Sequence, residues 1–416
     1  MNREGESHIT EILSAAERLL SARLGAGVRL RADARFETCK STVVRCRVVA
    51  PRGLAPQSFI AKRPREWPEH PGAQRDGLLN EWAALDTLDS LAAAIPLDVP
   101  LAPRFYGGDA AACVLVMEDL GDDDGTSAGS LAFGEDPARA EEAFVEHAAL
   151  VGRLHALTRG GHVRYLRARE EACAPPERTE LFSDPWPSAR VRKSSREEVA
   201  RAAETYRRVF ESVGLAPRAG FEDEIAFVTA RVEDDPGPFL ALCQGDQNGP
   251  GGSTRAGGRL RLYDFDSAGF RHALLEGVPA LTSWGCVMRL PARLAPRMEA
   301  AYRAELSKTC AAASDEQLFR RALTDACARW HVFQVSTRLE HCLVEDAPRG
   351  PTTRRQQFLA WMDTFARVGE ESEHPRVLAA SARDLAARLR SLWPAETHAL
   401  PPYPAFCGEY AVGRGQ

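Results

Sequence analysis

Phe239-Leu240-Ala241-Leu242-Cys243-Gln244-Gly245-Asp246-Gln247-Asn248 is followed, after a Gly-rich stretch, by Arg259-Leu260-Arg261-Leu262-Tyr263-Asp264-Phe265-Asp266-Ser267-Ala268. The two halves read alike, each a short apolar or alternating run that ends in a carboxylate. Phe239 to Cys243 is apolar and stops at Gly245, while Leu260 and Leu262 alternate with Arg259 and Arg261 in the period-2 pattern of a half-buried strand. Gly249 to Gly258, rich in Gly, Ser and Thr, reads as the loop between them. The expectation is a hairpin of these two strands that delivers Asp246 and Asp264 on the same side.

Two carboxylates separated by 18 positions in this way can divide the work of phosphoryl transfer. One takes the proton of an attacking hydroxyl and the other holds magnesium against the phosphates. Gly-Asp and Asp-Phe-Asp also occur in ordinary turns, so the reading depends on whether further parts stand upstream in the right order.

Gln244-Gly245-Asp246 followed by Tyr263-Asp264-Phe265-Asp266 resembles the catalytic and metal-binding loops of aminoglycoside phosphotransferase-like (choline kinase-like) small-molecule kinases. That family usually reads His-Gly-Asp-x-x-x-x-Asn and then Ile-Asp-Phe or Ile-Asp-Trp at the same separation. Here Gln244 stands for the His, and the metal-binding Asn position falls on Gly251, with Asn248 the nearest amide. The resemblance implies an α+β, bilobal protein-kinase-like fold with a small antiparallel-sheet N-lobe and a larger, mainly helical C-lobe. It implies Asp246 as base, Asp264 as magnesium ligand and Asn248 as a second ligand, with ATP and Mg2+ as cofactors and GTP not excluded.

The upstream parts occur in order. A packing helix over 7–23 precedes three strand-like segments, Val28 to Ala32, Val43 to Val49 and Ser58 to Lys62. Arg35 to Thr42 would turn over the phosphates; it lacks glycine, but Lys40, Ser41 and Thr42 offer an ammonium, hydroxyls and backbone N–H groups. Lys62 ends the third strand, and 19 residues on Glu81 lies in a helix whose buried stripe is Leu78, Trp82, Leu85 and Leu88. In the resembled family such a glutamate steers the phosphate-binding lysine. Pro103 to Gly107 and Ala112 to Met117 read as the last two strands, and Met117-Glu118-Asp119 resembles the hinge that binds the base. The expected division is 1–117 as nucleotide lobe, 118–121 as hinge and 122–416 as helical lobe with the catalytic hairpin and substrate pocket.

In that larger lobe, helices are expected near 138–158, 196–213, 294–308, 315–344, 354–369 and 375–393. His155 reads as a packing or hydrogen-bonding residue, and Glu276 as the carboxylate that fixes the catalytic loop. Phe182 and Trp186 are candidates to stack on a ring. The tail Pro401 to Phe406 reads as an extended segment on the surface.

Composition sets bounds. The chain has 416 residues, 44% hydrophobic and 27% charged, and a net charge of −5, which leaves no domain-wide basic field for nucleic acid. Ten cysteines show no CxxC pair and no zinc spacing, so they read as reduced core residues. The N-terminus has no apolar signal core and no run reaches membrane-spanning length, which predicts a cytoplasmic protein, monomer or homodimer, without a membrane partner. The expected activity is transfer of the γ-phosphate of ATP to a hydroxyl of a small molecule such as an aminoglycoside, another antibiotic, a sugar or a biosynthetic intermediate. The competing expectation, from the glycine-free turn and Gly251, is a catalytically weak nucleotide-binding pseudokinase acting as regulator or scaffold.

Overall fold

The computed structural model describes residues 3–38, 40–65, 73–94, 100–122, 125–172, 196–245, 252–277, 287–370, 372, 374–395 and 399–408. Its N-terminal part is an antiparallel sheet of β1 (Arg29–Glu37), β2 (Ser41–Ala50), β3 (Ser58–Pro64), β4 (Phe105–Asp109) and β5 (Val114–Glu118), in the order β1-β2-β3-β5-β4. Side chains alternate across it, as the strand period requires. Phe59, Ala61, Val114 and Val116 face one side, where α1 (Arg3–Leu24) covers them with Ile12, Ala16 and Leu20. Ile60, Leu115 and Met117 face the other, where they join the core that continues into the helical part. Lys62 shares that inner face and is paired across β2 with Val43 and across β5 with Leu115.

Helix α2 (Ala73–Ala94) crosses the inner face. Leu78, Leu85 and Leu88 are buried as expected, and Trp82 is half-buried against Gly108, where no side chain would fit. The apolar stripe therefore fixes the rotation of α2, and that rotation aims Glu81 inward.

The remainder is mainly helical: α3 (Ala128–Ala132), α4 (Pro137–Thr158), α5 (His162–Ala172), α6 (Arg196–Ser212), α7 (Phe221–Thr229), α8 (Leu274–Gly277), α9 (Leu294–Leu306), α10 (Ala311–Ser314), α11 (Glu316–Val344), α12 (Arg354–Glu370) and α13 (Arg376–Leu392). Asp136 caps α4 by accepting the Ala138 and Arg139 N–H groups, and Asp315 caps α11 by accepting that of Leu318. The sheet and helical parts together have the bilobal, protein-kinase-like architecture expected from the sequence. Among the described residues no helix is long and apolar enough to cross a membrane.

Two expectations are corrected. The strand before Asp246, β6 (Leu240–Cys243), does not pair with β8 (Arg259–Leu262); it pairs with β9 (Gly269–His272). Strand β8 instead pairs with β7 (Ser253–Ala256), part of the stretch read as loop. Gly257 and Gly258 both take positive φ, 59° and 79°, which suits a two-residue hairpin turn whose twist matches the strands. The tail is likewise not laid on the surface. Tyr403 and Phe406 are fully buried, and Phe144 on α4 meets the Tyr403 ring edge-on at 5.4 Å. Burying two aromatic side chains stabilises the lobe by several kcal/mol, roughly 1.5–3 each.

Candidate active site

Three of the residues singled out in the sequence converge. Lys62 Nζ lies 2.7 Å from Glu81 Oε2 and 2.8 Å from Asp264 Oδ1. Lys62 comes from the inner face of β3, Glu81 from the buried face of α2, and Asp264 from the bend after β8. Burial disfavours the ammonium, but the Glu81 and Asp264 carboxylates more than offset this and raise Lys62 above the ordinary lysine range. Burial pushes Glu81 upward, and Lys62 pulls it back toward the ionised form.

The 264–268 segment is held from below by α2. Glu81 Oε1 accepts the Phe265 N–H at 3.3 Å, and the neighbouring Asn80 donates to the Asp266 carbonyl at 3.2 Å. Phe265 is fully buried, and Tyr165 donates its hydroxyl to the Ala268 carbonyl at 3.0 Å. Asp264 itself has a φ of 61°, in the left-handed region, and its side chain is 48% exposed. Backbone of this kind costs energy and persists where the surroundings impose it. Here the anchoring of Phe265 and Asp266 imposes it, turning the carboxylate out while its neighbour is pulled in.

The loop preceding Asp246 is fixed separately. Glu276 accepts the Gln244 N–H through Oε1 at 2.8 Å and the Gly245 N–H through Oε2 at 2.9 Å. His155 Nε2 lies 3.0 Å from Glu276 Oε1, and its Nδ1 lies 2.9 Å from the Tyr302 hydroxyl. Burial would raise the Glu276 carboxyl, but His155, Arg271 and the Gly245 N–H hold it below the usual glutamate range. His155, Cys243 and Glu276 offer ligand atoms within 4.8 Å of one another. Both Glu276 oxygens and both His155 nitrogens are already committed to hydrogen bonds, so the group is a buried strut rather than a metal centre. His155 and Glu276 thus sit where the sequence placed them, as supports of the loop.

In the sequence Gln244 stands out only as a departure from the family pattern. Its side chain is buried, and Nε2 donates to the Tyr263 carbonyl and, at 3.0 Å, to that of Gly252. It thereby ties the residue immediately before Gly245 to the residue immediately before Asp264. Nothing in the spacing of single letters announces this link; the signal available was the position of an amide-bearing side chain beside Gly245.

The remaining sequence candidates lie apart or are engaged. Ser41 and Thr42 begin β2 and are buried, with Ser41 donating its N–H to Thr38 Oγ1 at 2.9 Å. Lys40 Nζ reaches Asp266 Oδ2 at 3.1 Å, which brings the β1–β2 turn over the Asp264 bend. Met117 is buried; the Glu118 carboxylate is paired with Arg261 Nη2 at 2.7 Å, and Asp119 Oδ2 with Arg45 Nε at 3.0 Å. The Glu118 and Asp119 carboxylates therefore brace β5 against β8 and β2, and their side chains are spent on that. Asp246, Gln247, Asn248 and Gly251, like Phe182 and Trp186, lie outside the described residues.

The described groups fit a nucleotide with a hard cation. A buried ammonium steered by two carboxylates suits phosphate oxygens, and Asp264 keeps a half-exposed carboxylate with one oxygen on Lys62, the kind of donor that magnesium takes. A five-stranded antiparallel sheet and a helical lobe that meet at a strand lysine, a helix glutamate and a loop aspartate define the protein-kinase-like class of folds.

No family model matches the chain, and no curated relative matches it by sequence. Among solved structures it is similar to the streptomycin-ATP-APH(2")-IIa ternary complex, at 12% identity over 80% of this chain and 92% of that one, with a TM-score of 0.40. It is also similar to an ethanolamine kinase from Plasmodium vivax, at 10% identity over 88% and 83% of the two chains with a TM-score of 0.40. A third is the choline kinase LicA from Streptococcus pneumoniae, at 12% identity over 88% and 99%, with a TM-score of 0.37.

Proposed function

We propose that the protein transfers the γ-phosphate of ATP to a hydroxyl group of a small molecule. The observation that carries this reading is the buried Lys62 ammonium held at 2.7 Å by Glu81 and at 2.8 Å by Asp264. Lys62 would neutralise phosphate charge in a direction set by Glu81, which stops the four-carbon stem from sampling other rotamers. Asp264, with Asn248 as a second donor, would hold magnesium, which supplies charge stabilisation for the transferring phosphoryl group. Asp246 would orient the acceptor hydroxyl and accept its proton. The fixed backbone of Gln244 and Gly245, immediately before it, supports that role because a base must be held still to be effective. Ser41, which spends its N–H on Thr38 Oγ1 and its carbonyl on the Thr38 N–H, would hold the shape of the turn over the phosphates rather than donate to them, and Met117 to Asp119 would read the base through main-chain groups.

The test is transfer of labelled γ-phosphate, with magnesium, to a panel of aminoglycosides, amino alcohols and sugars, in the wild type and in Asp246→Asn. Turnover on at least one acceptor that falls by orders of magnitude in Asp246→Asn supports the reading. A magnesium-dependent rise in melting temperature with ATP, but no transfer to any acceptor, would assign the chain a nucleotide-binding regulatory role instead.

A further inference from the structure

Away from that cleft, α9, the first half of α11 and the last half of α12 enclose a groove with a cavity volume of about 1230 Å³. Neither Lys62, Glu81, Gln244 nor Asp264 lines it. It is larger than the roughly 300–1,000 Å³ typical of a small-molecule pocket, so it has room for a ligand and its water. In a chain of net charge −5, its wall carries Arg289, Arg303, Arg320, Arg321 and Arg367 against the single carboxylate of Glu299.

The balance within the groove is uneven. Arg320 pairs with both Glu299 and Glu316, and Arg303 Nη1 lies 2.5 Å from Glu316 and 3.7 Å from Glu299. Those two carboxylates are therefore spent on those two arginines. Arg321 and Arg367, both exposed, form no ion pair among the described residues. Asp325, one turn on from Arg321, is buried and turned onto Arg231 Nε at 2.6 Å. Asp325 still feels the Arg321 charge, but no carboxylate lies at salt-bridge distance from either guanidinium among the described residues, and an anion placed between the two would lower their mutual repulsion while matching their planar donor fork. Leu290, Pro291, Ala295, Leu323 and Val368 contribute apolar surface to the same groove.

We propose that this groove is a second binding site, for a small amphipathic anion in which a phosphate or carboxylate group is attached to an apolar body. The anionic group sits between Arg321 and Arg367, and the body lies on the apolar wall. The site is independent of the kinase reading.

The experiment is calorimetric titration of the full chain with phenyl phosphate, benzoate and uncharged benzyl alcohol, in the wild type and in the Arg321→Ala/Arg367→Ala variant. Both replaced side chains are exposed, so equal melting temperatures are expected. Saturable binding of one or both anions below about millimolar Kd, no binding of the alcohol, and at least about tenfold weaker binding in the double variant are expected. Phosphate and carboxylate recognition are separated by which of the two anions binds. Amide hydrogen exchange locates the ligand: slowing over 317–324 and 364–368 agrees with the proposal. Affinity unchanged in the double variant, slowing over 58–64 instead, or no saturable binding of either anion overturns it.

Discussion

The backbone nitrogen of Gln244 stands 2.8 Å from Glu276 Oε1, so the residue before Gly245 is fixed by a carboxylate 32 positions further along the chain. The same carboxylate takes the Gly245 N–H and leans on His155, which leans on Tyr302. A chain of buried partners thus runs from α9 to the loop, and each member is satisfied only while the next is present.

Removing that carboxylate is therefore costly. Glu276→Ala strands the buried Gln244 N–H and the partly buried Gly245 N–H and leaves a void, and a loss on the order of 3 kcal/mol is expected. Glu276→Gln keeps one acceptor oxygen and should lose about 1–2 kcal/mol. Urea unfolding of the two variants against wild type checks the order; equal stabilities of Glu276→Gln and Glu276→Ala would refute it.

Lys62 makes a double-mutant test possible. Lys62→Met leaves Glu81 buried without its counter-charge, which should cost roughly 3–5 kcal/mol, and under the proposed activity it should also remove nucleotide binding. Adding Glu81→Gln to Lys62→Met should recover stability without recovering the nucleotide-induced melting shift. Stability and binding moving together in the double variant would show that the pair serves packing alone.

Gln244 is a positioning residue under the proposed activity. Gln244→Ala cuts the bond to the Tyr263 and Gly252 carbonyls, each of which has a second lone pair for water, so stability should fall by only about 1 kcal/mol. Turnover should fall by about tenfold to a hundredfold, because the loop and the Asp264 bend lose their common tie. Gln244→His, which restores a ring N–H donor at the same place, should recover most of it. A rate that stays at wild-type level in Gln244→Ala removes the role.

Much of this was legible in the letters. Lys62, Glu81 and Asp264 were placed by strand end, helix face and motif, and packing brought all three together because each sits where an apolar period dictates its direction. The helices over 294–308, 315–344, 354–369 and 375–393 appear as Leu294–Leu306, Glu316–Val344, Arg354–Glu370 and Arg376–Leu392. Strand pairing was less legible. Leu240–Cys243 and Arg259–Leu262 are each good strands, but which neighbour a strand takes depends on long-range closure, and Gly257-Gly258 supplies a two-residue turn that joins Arg259–Leu262 to the nearer Ser253–Ala256. The buried tail shows the same limit, since Pro401-Pro402 suggests extension while the burial of Tyr403 and Phe406 depends on a slot beside Phe144 that no local pattern describes.

Stability should decline on acidification before ordinary carboxylates titrate. Burial lowers His331 from 6.5 to about 3, and burial likewise lowers His272 from 6.5 to about 3, so both are neutral in the folded chain. The unfolded chain takes up those protons below pH 6.5 while the folded chain does not until about pH 3. Unfolding free energy therefore falls as pH drops through that window, by up to about 1.4 kcal/mol per pH unit for each group. Denaturant midpoints measured from pH 7.5 to 4.5 should show the slope, and His331→Gln should reduce it; an unchanged slope would contradict the assignment.

Gly245 offers the sharpest steric test. Its φ is 100°, and a Cβ there would overlap the Ser267 backbone carbonyl, which is held in the segment anchored by α2 and cannot swing aside as a side chain could. Gly121, with a φ of 85° and nothing within 4 Å of an added Cβ, isolates the backbone strain alone. Gly121→Ala should therefore cost about 1–2 kcal/mol, the penalty of left-handed backbone for an alanine. Gly245→Ala adds a collision between two fixed backbones, so it should cost more than that and should abolish nucleotide-dependent turnover, with the loop forced off Glu276. Unfolding curves and ATP turnover on the two variants decide it, and equal losses would mean that the 245 and 267 backbones are not in the close approach described.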